Sequence, residues 1–334
     1  MLKRILVILV AVLIVLAIIG LLLPRNAHVE RSVSIARPAS LIYATVNSFQ
    51  LFPKWSPWQN LDPNMRQTTE GARDGVGAKL VWSGNDKVGS GAQVITASTL
   101  NQSVTSDLDF GKMGVARSTI LLAPQGSSTR VTWTVDIDMG AGPIGHYFGL
   151  SMDRMIGKDY EKGLSKLKTL VEGMPNVDIS GFVAEPVELT AMPILVASET
   201  SPLDTASISN AYADGYAQIG KFMAKNKLHR TGAPLGIDGE MTATTFTFEA
   251  GMPIDRADVS AGGNVRLTQS YAGKALKTTH VGPYDTLAKT YDTFRAYMAA
   301  RDYTAAGAPI SWYVDDPGST QAEKLRTEIY WPIQ

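Results

Sequence analysis

Residues 280–298 read HVGPYDTLAKTYDTFRAYM, and the chain continues with GAPISWY at 307–313 and LRTEIYWPI at 325–333. After the turn residues at the start of the first stretch, apolar side chains recur every three or four positions, which is typical of an amphipathic helix. The two later stretches are short and rich in aromatic and β-branched residues, which is typical of strands. This region therefore predicts a helix over Tyr284–Arg301 that is followed by two strands.

The same pattern occurs once before in the chain. IGKFMAKNKLHRTGAPLGID, from Ile219, aligns with FRAYMAARDYTAAGAPISWY, from Phe294, at a constant shift of 75 residues. A shift of 79 residues then aligns FEAGMPI with TEIYWPI and places Glu249 over Glu328. Each copy predicts the order strand, helix, strand, strand, with the first helix over Ser207–Leu228. Two βαββ copies are expected to pack about a pseudo-twofold axis, and the groove between their helices and sheet is the expected ligand site.

This second half resembles the GyrI-like effector-binding domain, which is also found behind the DNA-binding module of AraC-type and MerR-type regulators. The resemblance covers about residues 183–334. It implies a small-molecule pocket with aromatic walls and a buried acid that receives cationic or polar ligands. By motif position that acid is Glu328, with Glu249 at the matching position of the first copy. The candidate walls are Tyr284, Trp312, Tyr313 and Tyr330.

Strand geometry supports part of this assignment without the family. Alternation places Glu328 and Tyr330 on one face of a strand. A carboxylate beside an aromatic ring attracts an organic cation through its charge and through the quadrupole of the ring. The alternative is that Glu328 is a solvated strand charge and that the aromatic rings are core residues.

Residues 29–173 show a different pattern. Val29–Ala36 alternates as a strand, a short helix and the aromatic stretch FPKWSPW follow, and then come several strand-like runs. The last part, Ser151–Glu172, has apolar residues at every third or fourth position and predicts one long amphipathic helix. We expect a curved antiparallel sheet that is covered by this helix, with a cavity between them.

The two ends of this region carry a resemblance. VERSVSIARPASLIYATVNSFQLFPKWSPW and HYFGLSMDRMIGKDYEKGLSKLKTLVE resemble the SRPBCC superfamily, which has the helix-grip or polyketide cyclase/START-like fold. The resemblance implies a hydrophobic pocket and no particular reaction. Between the last strand and the long helix, Gly140, Gly142 and Gly145 match G-x-G-x-x-G, the pattern of dinucleotide-binding loops. The antiparallel context and Pro143 favour a plain loop instead.

The N-terminal residues predict a membrane segment. Ile5–Leu23 contains no charged or strongly polar side chain, and its length as a helix is roughly 30 Å, the hydrocarbon thickness of a bilayer. A cleaved signal peptide is the competing interpretation, but LPRNAHVE after the run offers no small-x-small cleavage pair. The basic leader, Lys3 and Arg4, favours an anchor that leaves the rest of the chain on the periplasmic or extracytoplasmic side.

Composition excludes several classes of function. The chain of 334 residues has a formal net charge of zero, so bulk charge does not favour nucleic-acid binding. It contains no cysteine, and the spacing of its four histidines suits no metal site. We therefore expect no cofactor and no metal.

These observations predict an α+β chain. Its expected parts are a transmembrane anchor (1–28), a helix-grip antiparallel sheet domain with a long C-terminal helix (29–173), a linker (174–181) and a duplicated βαββ effector-binding domain (182–334). The expected function is a membrane-anchored binding protein that senses or sequesters hydrophobic or cationic small molecules, with one pocket in each domain. The alternative is a hydrolase of reactive small molecules that uses Glu328 as acid or base. A membrane anchor and a helix-grip domain stand where the related regulators carry a helix-turn-helix, so a role in transcription is not expected. The sequence leaves the ligand and the oligomeric state open.

Overall fold

The computed structural model describes residues 2–111, 114–260 and 262–334. Contacts between residues divide the chain into two compact units. The first unit comprises the residues up to 180 together with 295–302, and the second comprises 181–294 and 303–334. Each unit contains one antiparallel sheet, which confirms the predicted α+β class.

The N-terminal helix, α1 (Leu2–Leu22), has nearly all of its described side chains exposed. By length and composition, its segment Lys3–Leu22 is able to cross a membrane. Strand β1 (Asn26–Ile35) begins four residues after the helix ends. The predicted apolar segment is therefore a single continuous helix that leads directly into the first sheet.

Within its described residues, the first unit has a seven-stranded antiparallel sheet in the order β1-β7-β6-β5-β4-β3-β2. The long helix α5 (Met152–Glu172) packs on β1, and its buried side chains recur at helical spacing, as the sequence predicted. The remaining elements of this unit are α2 (Ala39–Val46), α3 (Phe52–Trp55), β2 (Arg66–Gly71), β3 (Ala78–Ser83), β4 (Ser90–Thr99), β5 (Ser103–Asp109), β6 (Val115–Gln125), β7 (Ser128–Asp138) and α4 (Pro143–Gly149).

Aromatic rings fill the space between this sheet and α5. Trp133 of β7 stacks on Tyr160 of α5 with ring centroids 3.9 Å apart, and Trp55 meets Trp133 edge to face at 5.3 Å. Gly163 permits this contact, because a Cβ there would lie 2.7 Å from the Trp133 ring. The cavity beside these rings measures about 20 Å³, which is room for about one water molecule. This cavity is too small for an organic ligand.

The predicted linker, residues 174–181, is attached to the first unit over most of its length. Met174 and Ile179 are buried. Ser40 donates a hydrogen bond of 2.6 Å to Asp178, and the backbone amide of Ile179 donates to Ser40. We infer that this segment behaves as part of the first unit up to Ser180.

The second unit has an eight-stranded antiparallel sheet within its described residues, in the order β12-β9-β11-β10-β14-β15-β13-β8. Two helices lie close to the predicted positions, and a short 3₁₀ turn, Tyr284–Thr286, precedes the second. The elements are β8 (Glu185–Leu189), β9 (Pro193–Pro202), α6 (Thr205–Asn226), β10 (Leu235–Met241), β11 (Thr245–Pro253), β12 (Val265–Gln269), β13 (Gly273–Val281), α7 (Leu287–Ala300), β14 (Ile310–Tyr313) and β15 (Arg326–Pro332).

The register of the central strands shows the pseudo-twofold axis. Strands β10 and β14 occupy equivalent places in the two copies, and they pair with each other in the middle of the sheet. Gly236 lies opposite Ser311, and these two residues are related by the 75-residue shift found in the sequence. A residue that pairs with its own counterpart marks the axis, so the internal duplication is a structural twofold.

The edge strands are exchanged between the copies. Strand β8 precedes the first copy in sequence but pairs with β13 of the second, while β12 precedes the second copy but pairs with β9 of the first. This exchange joins the two copies into one continuous sheet with a shared core. We infer that neither copy is complete without the other.

Candidate ligand-binding site

The candidate site lies on the face of the second sheet on which no helix packs within the described part of the chain, and we call it the helix-free face. The other face carries α6, whose Ile219 packs with Ala250, and α7, whose Tyr291 hydroxyl forms a hydrogen bond of 2.6 Å with Ser311 of β14. Alternation along β14 directs Trp312 to the helix-free face. Trp312 lies directly opposite Glu328 of β15, so the carboxylate is on this face as well.

Both carboxylate oxygens of Glu328 have partners within the chain. Lys277 Nζ lies 2.8 Å from Oε1, and the hydroxyl of Tyr330 donates to Oε2 at 2.7 Å. The same ammonium group lies over the Tyr330 ring, 5.5 Å from its centroid. About a third of the Glu328 side chain remains exposed, so the ion pair is only partly withdrawn from solvent.

These contacts set the ionisation of the three side chains. Desolvation raises the pKa of Glu328, but hydrogen bonds from Lys277 and Tyr330 lower it by more, and the net pKa is below its ordinary value. The hydrogen bond to Glu328 raises the pKa of Lys277. Burial, followed by the neighbouring carboxylate, raises the pKa of Tyr330. At neutral pH the group is therefore an ion pair with a neutral phenol.

The aromatic neighbours of Glu328 pack on an apolar core. Trp312 and Tyr330 are half-buried and pack on a core of Ile194, Val196, Leu235 and Ile310. Tyr271, Met192 and Ile237 pack on the same core. A few polar groups set into half-buried aromatic and aliphatic side chains are the usual composition of a small-molecule site.

A cavity of about 540 Å³ adjoins the ion pair at the edge of β13, beyond the end of β8. Its volume lies within the range of ligand pockets, about 300–1,000 Å³. Lys277 is part of its wall, and Glu185, the register partner of Lys277, contributes an acid. Its lining is Gly181, Phe182, Val183, Glu185, Lys277, Thr278, Thr279, His280, Val281 and Thr290.

Glu249 occupies the symmetry-related position. It accepts a hydrogen bond of 3.2 Å from Ser198 and forms an ion pair of 2.5 Å with Arg266. Gly251 stands where the second copy has Tyr330, and the side chain of Leu235 fills the space beside this glycine. The twofold is thus broken at the site, and only Glu328 has an aromatic hydroxyl beside it.

Tyr284 and Tyr313 lie elsewhere. Tyr313 follows Trp312 in β14 and so points to the face with the helices, where it meets Tyr212 of α6 edge to face at 5.8 Å. Tyr284 packs on Tyr313 at 5.3 Å. Burial raises the pKa of Tyr313, so its phenol is neutral. The six side chains proposed from the sequence therefore divide between two faces: Glu249, Trp312, Glu328 and Tyr330 on one, and Tyr284 and Tyr313 on the other.

Sequence reasoning missed Lys277 and Tyr271. The stretch ALKTTHV, residues 275–281, is typical of a strand, and alternation places Lys277 and Thr279 on the same face. The antiparallel register of β13 with β15, which puts Lys277 opposite Tyr330, is a tertiary feature that alternation alone does not give.

No group of three or more histidine, aspartate or glutamate side chains is placed to hold a metal ion within residues 2–111, 114–260 and 262–334.

Comparison with known families agrees with this architecture. Residues 26–172 match the family model for polyketide cyclase/dehydrase and lipid transport, and residues 185–334 match the model for the GyrI-like small molecule binding domain. The chain thus carries one domain of each family, in that order, and both resemblances noted in the sequence are confirmed. Small-molecule binding is the property that the two families support in common. No curated protein matches the chain.

Solved structures with similar folds share little sequence with this chain. The C-terminal domain of EcmrR is 21% identical with a TM-score of 0.41, and the match covers 46% of this chain and 97% of that one. A hydrolase from Listeria innocua is 17% identical with a TM-score of 0.33, covering 45% and 91%. SAV2435, solved bound to tetraphenylphosphonium, is 14% identical with a TM-score of 0.34, covering 46% and 94%. Each match covers less than half of this chain and nearly all of the other.

Proposed function

We propose that the helix-free face of the second unit binds a hydrophobic organic cation, and that the protein senses or sequesters such compounds. Glu328 is the anionic contact of the ligand, and Trp312 and Tyr330 are its aromatic contacts. Lys277 is an internal cation that the ligand displaces. The observation that carries this proposal is the position of Lys277, whose ammonium group lies against both the carboxylate of Glu328 and the ring of Tyr330.

The contacts of Lys277 define what the site accepts. A positive charge between a carboxylate and an aromatic face is stabilised by Coulomb attraction and by the ring quadrupole together. A ligand cation that takes this place gains the same two interactions and covers the half-buried rings around it. Lys277, on a flexible stem at the wall of the 540 Å³ cavity, has space into which it can move.

The site favours binding over hydrolysis. A general acid or base works best when its pKa lies near the working pH. Lys277 and Tyr330 instead hold the pKa of Glu328 below its ordinary value, which moves it away from neutral pH. We therefore assign Glu328 a role in recognition.

The ligand is assigned to the second unit because the cavity beside Trp133 in the first unit holds only about 20 Å³. The proposed contacts in the second unit lie on a sheet face, beside the cavity of about 540 Å³ that Lys277 lines. An organic cation with several rings does not fit in the first space unless the aromatic cluster of Trp133 and Tyr160 moves apart.

Two ions of the same shape and opposite charge test the proposal. Isothermal titration of the full-length protein in detergent micelles should show tighter binding of tetraphenylphosphonium than of tetraphenylborate, by at least about tenfold. The two probes differ in the sign of their charge, so the contributions of shape and apolar area to the affinity cancel in the comparison. Blank titrations into protein-free micelles correct for partition of the probes into the detergent. Equal affinities, or a preference for the anion, would contradict the assignment of Glu328 as the ligand contact.

We propose that α1 is retained as a membrane anchor. The residues that follow it are integrated into the first unit, because Arg25 forms an ion pair with Asp138 and the amide of Met139 donates to the carbonyl of Arg25. Strand β1 pairs with β7 from Asn26 onward, so cleavage near this point would remove these contacts. Lys3 and Arg4, at the start of the helix, support a placement of both units outside the cytoplasm.

Cell fractionation tests the anchor. We expect the full-length chain in the membrane fraction, resistant to extraction with alkaline carbonate, and with an unprocessed mass. A protein that begins near residue 29 should appear in the soluble fraction instead. Recovery of the full-length product as a shortened, soluble protein would show that the segment is a cleaved signal peptide.

A further inference from the structure

A patch of exposed apolar side chains lies beside the C-terminal half of α1. It is formed by α4 and the residues that follow, in the same region as the G-x-G-x-x-G pattern that the ligand site does not use. Ile144 is 83% exposed, Phe148 52% and Leu150 64%. Met155, in the first turn of α5, is 54% exposed. So many large apolar groups close together on a surface mark a contact with another apolar phase.

Helix α4 packs directly on α1. Gly20 is buried, and a Cβ on it would lie 2.6 Å from Pro143 Cβ and 2.8 Å from the ring of Tyr147. The hydroxyl of Tyr147 donates to the carbonyl of Leu16 at 2.9 Å. Nδ1 of His146 donates to the carbonyl of Gly20 at 2.8 Å. Gly20, the single glycine of the apolar run, therefore allows α4 to approach α1 closely, as small residues do between helices in membranes.

These contacts fix the level of α4 along the anchor. Leu16 lies six residues before the end of α1 at Leu22, which is about 9 Å along the helix axis. Tyr147 reaches this depth, so α4 lies level with the last two turns of α1. If α1 spans a bilayer, those turns are within the hydrocarbon.

Charged groups lie where α1 ends and the sheet begins. Arg25 and Asp138 form their ion pair just beyond the end of α1, and both side chains are largely exposed. The order along α1 is therefore apolar helix with α4 beside it, then a charged pair, then the sheet. This is the order of a membrane interface.

We propose that α4 is inserted in the lipid bilayer as a second membrane contact of the first unit. The occupant of the patch is the acyl region of the leaflet on that side, because the patch continues the lipid-facing surface of α1. The inference rests on the proposed role of α1 as an anchor. Two contacts, one spanning and one inserted, hold the first unit against the membrane surface in one orientation.

The absence of cysteine from the chain makes a depth measurement simple. Single cysteines are introduced at Leu13, Ile144 and Leu100, all exposed positions, of which Leu100 lies in the turn between β4 and β5. Each full-length variant is spin-labelled and reconstituted in phosphatidylcholine–phosphatidylglycerol liposomes. Collisions with oxygen, which concentrates in lipid, are compared with collisions with a water-soluble nickel chelate.

We expect the labels of Leu13→Cys and Ile144→Cys to be accessible to oxygen and protected from nickel, and that of Leu100→Cys to show the reverse. A lipid signature at position 13 with a water signature at 144 would overturn the second contact and leave the anchor intact. Water signatures at both positions would overturn the anchor as well. A lipid signature at position 100 would contradict the proposal, because insertion would then not be confined to the patch.

Discussion

Replacing Glu328 by glutamine is expected to weaken binding of tetraphenylphosphonium by at least about tenfold, or 1.4 kcal/mol. The amide keeps the shape of the side chain and removes the charge that the ligand needs. The variant also leaves Lys277 without its carboxylate partner, so the lysine adds repulsion at the same place. Isothermal titration measures the affinity, and thermal unfolding verifies that the variant is folded.

Two further variants make the prediction specific. Lys277→Met removes the internal competitor and is expected to strengthen binding of the same cation by roughly fivefold, since a partly exposed ion pair contributes up to about 1 kcal/mol. Glu249→Gln is the matched control, because it neutralises the symmetry-related acid where Gly251 replaces the tyrosine, and it should change the affinity less than about twofold. Weaker binding by Lys277→Met, or an equal loss in Glu249→Gln and Glu328→Gln, would contradict the proposed site.

Replacing Trp133 by alanine is expected to lower the free energy of unfolding of the first unit by about 3–5 kcal/mol. The ring is almost fully buried, stacks on Tyr160 and contacts Trp55, and its indole nitrogen donates to Ser118 at 2.8 Å. Urea unfolding of the full-length protein, followed by tyrosine and tryptophan fluorescence, measures the loss. Trp133→Phe keeps an aromatic ring and should cost clearly less.

The same variant examines the role of the first unit. If the cluster around Trp133 is a core, the alanine variant loses stability and its affinity for tetraphenylphosphonium is unchanged. A loss below about 1 kcal/mol, together with new binding of a hydrophobic probe in the first unit, would show that the rings are an adaptable lining of a ligand pocket instead.

Periodicity and duplication predicted most of the fold. The apolar stripe of α5, the two βαββ copies and the apolar N-terminal helix are local or repeated patterns, and each is present as expected. The exchange of β8 and β12 between the copies was not foreseen, because strand pairing between distant segments leaves no short-range signal. The short helix α4 was also missed, since the antiparallel context and Pro143 favoured a plain loop.

The site was predicted less completely than the fold. Glu328, Trp312 and Tyr330 are on one face as register and alternation require. Trp312 and Tyr313 are adjacent in one strand, so their side chains point to opposite faces, and alternation already argued against placing both in one pocket. The position of Lys277 beside Tyr330 follows only from the pairing of β13 with β15. The filling of the first unit by aromatic rings depends on side-chain packing in three dimensions, which a family resemblance does not supply.

The most direct test of the account is a crystal structure of the protein with tetraphenylarsonium, whose arsenic atom is located by its anomalous scattering. The account predicts an arsenic peak on the helix-free face of the second unit, within contact of Trp312 and Tyr330, with Lys277 moved away from Glu328. A peak beside Tyr212 and Tyr313, or beside Trp133 in the first unit, would contradict it.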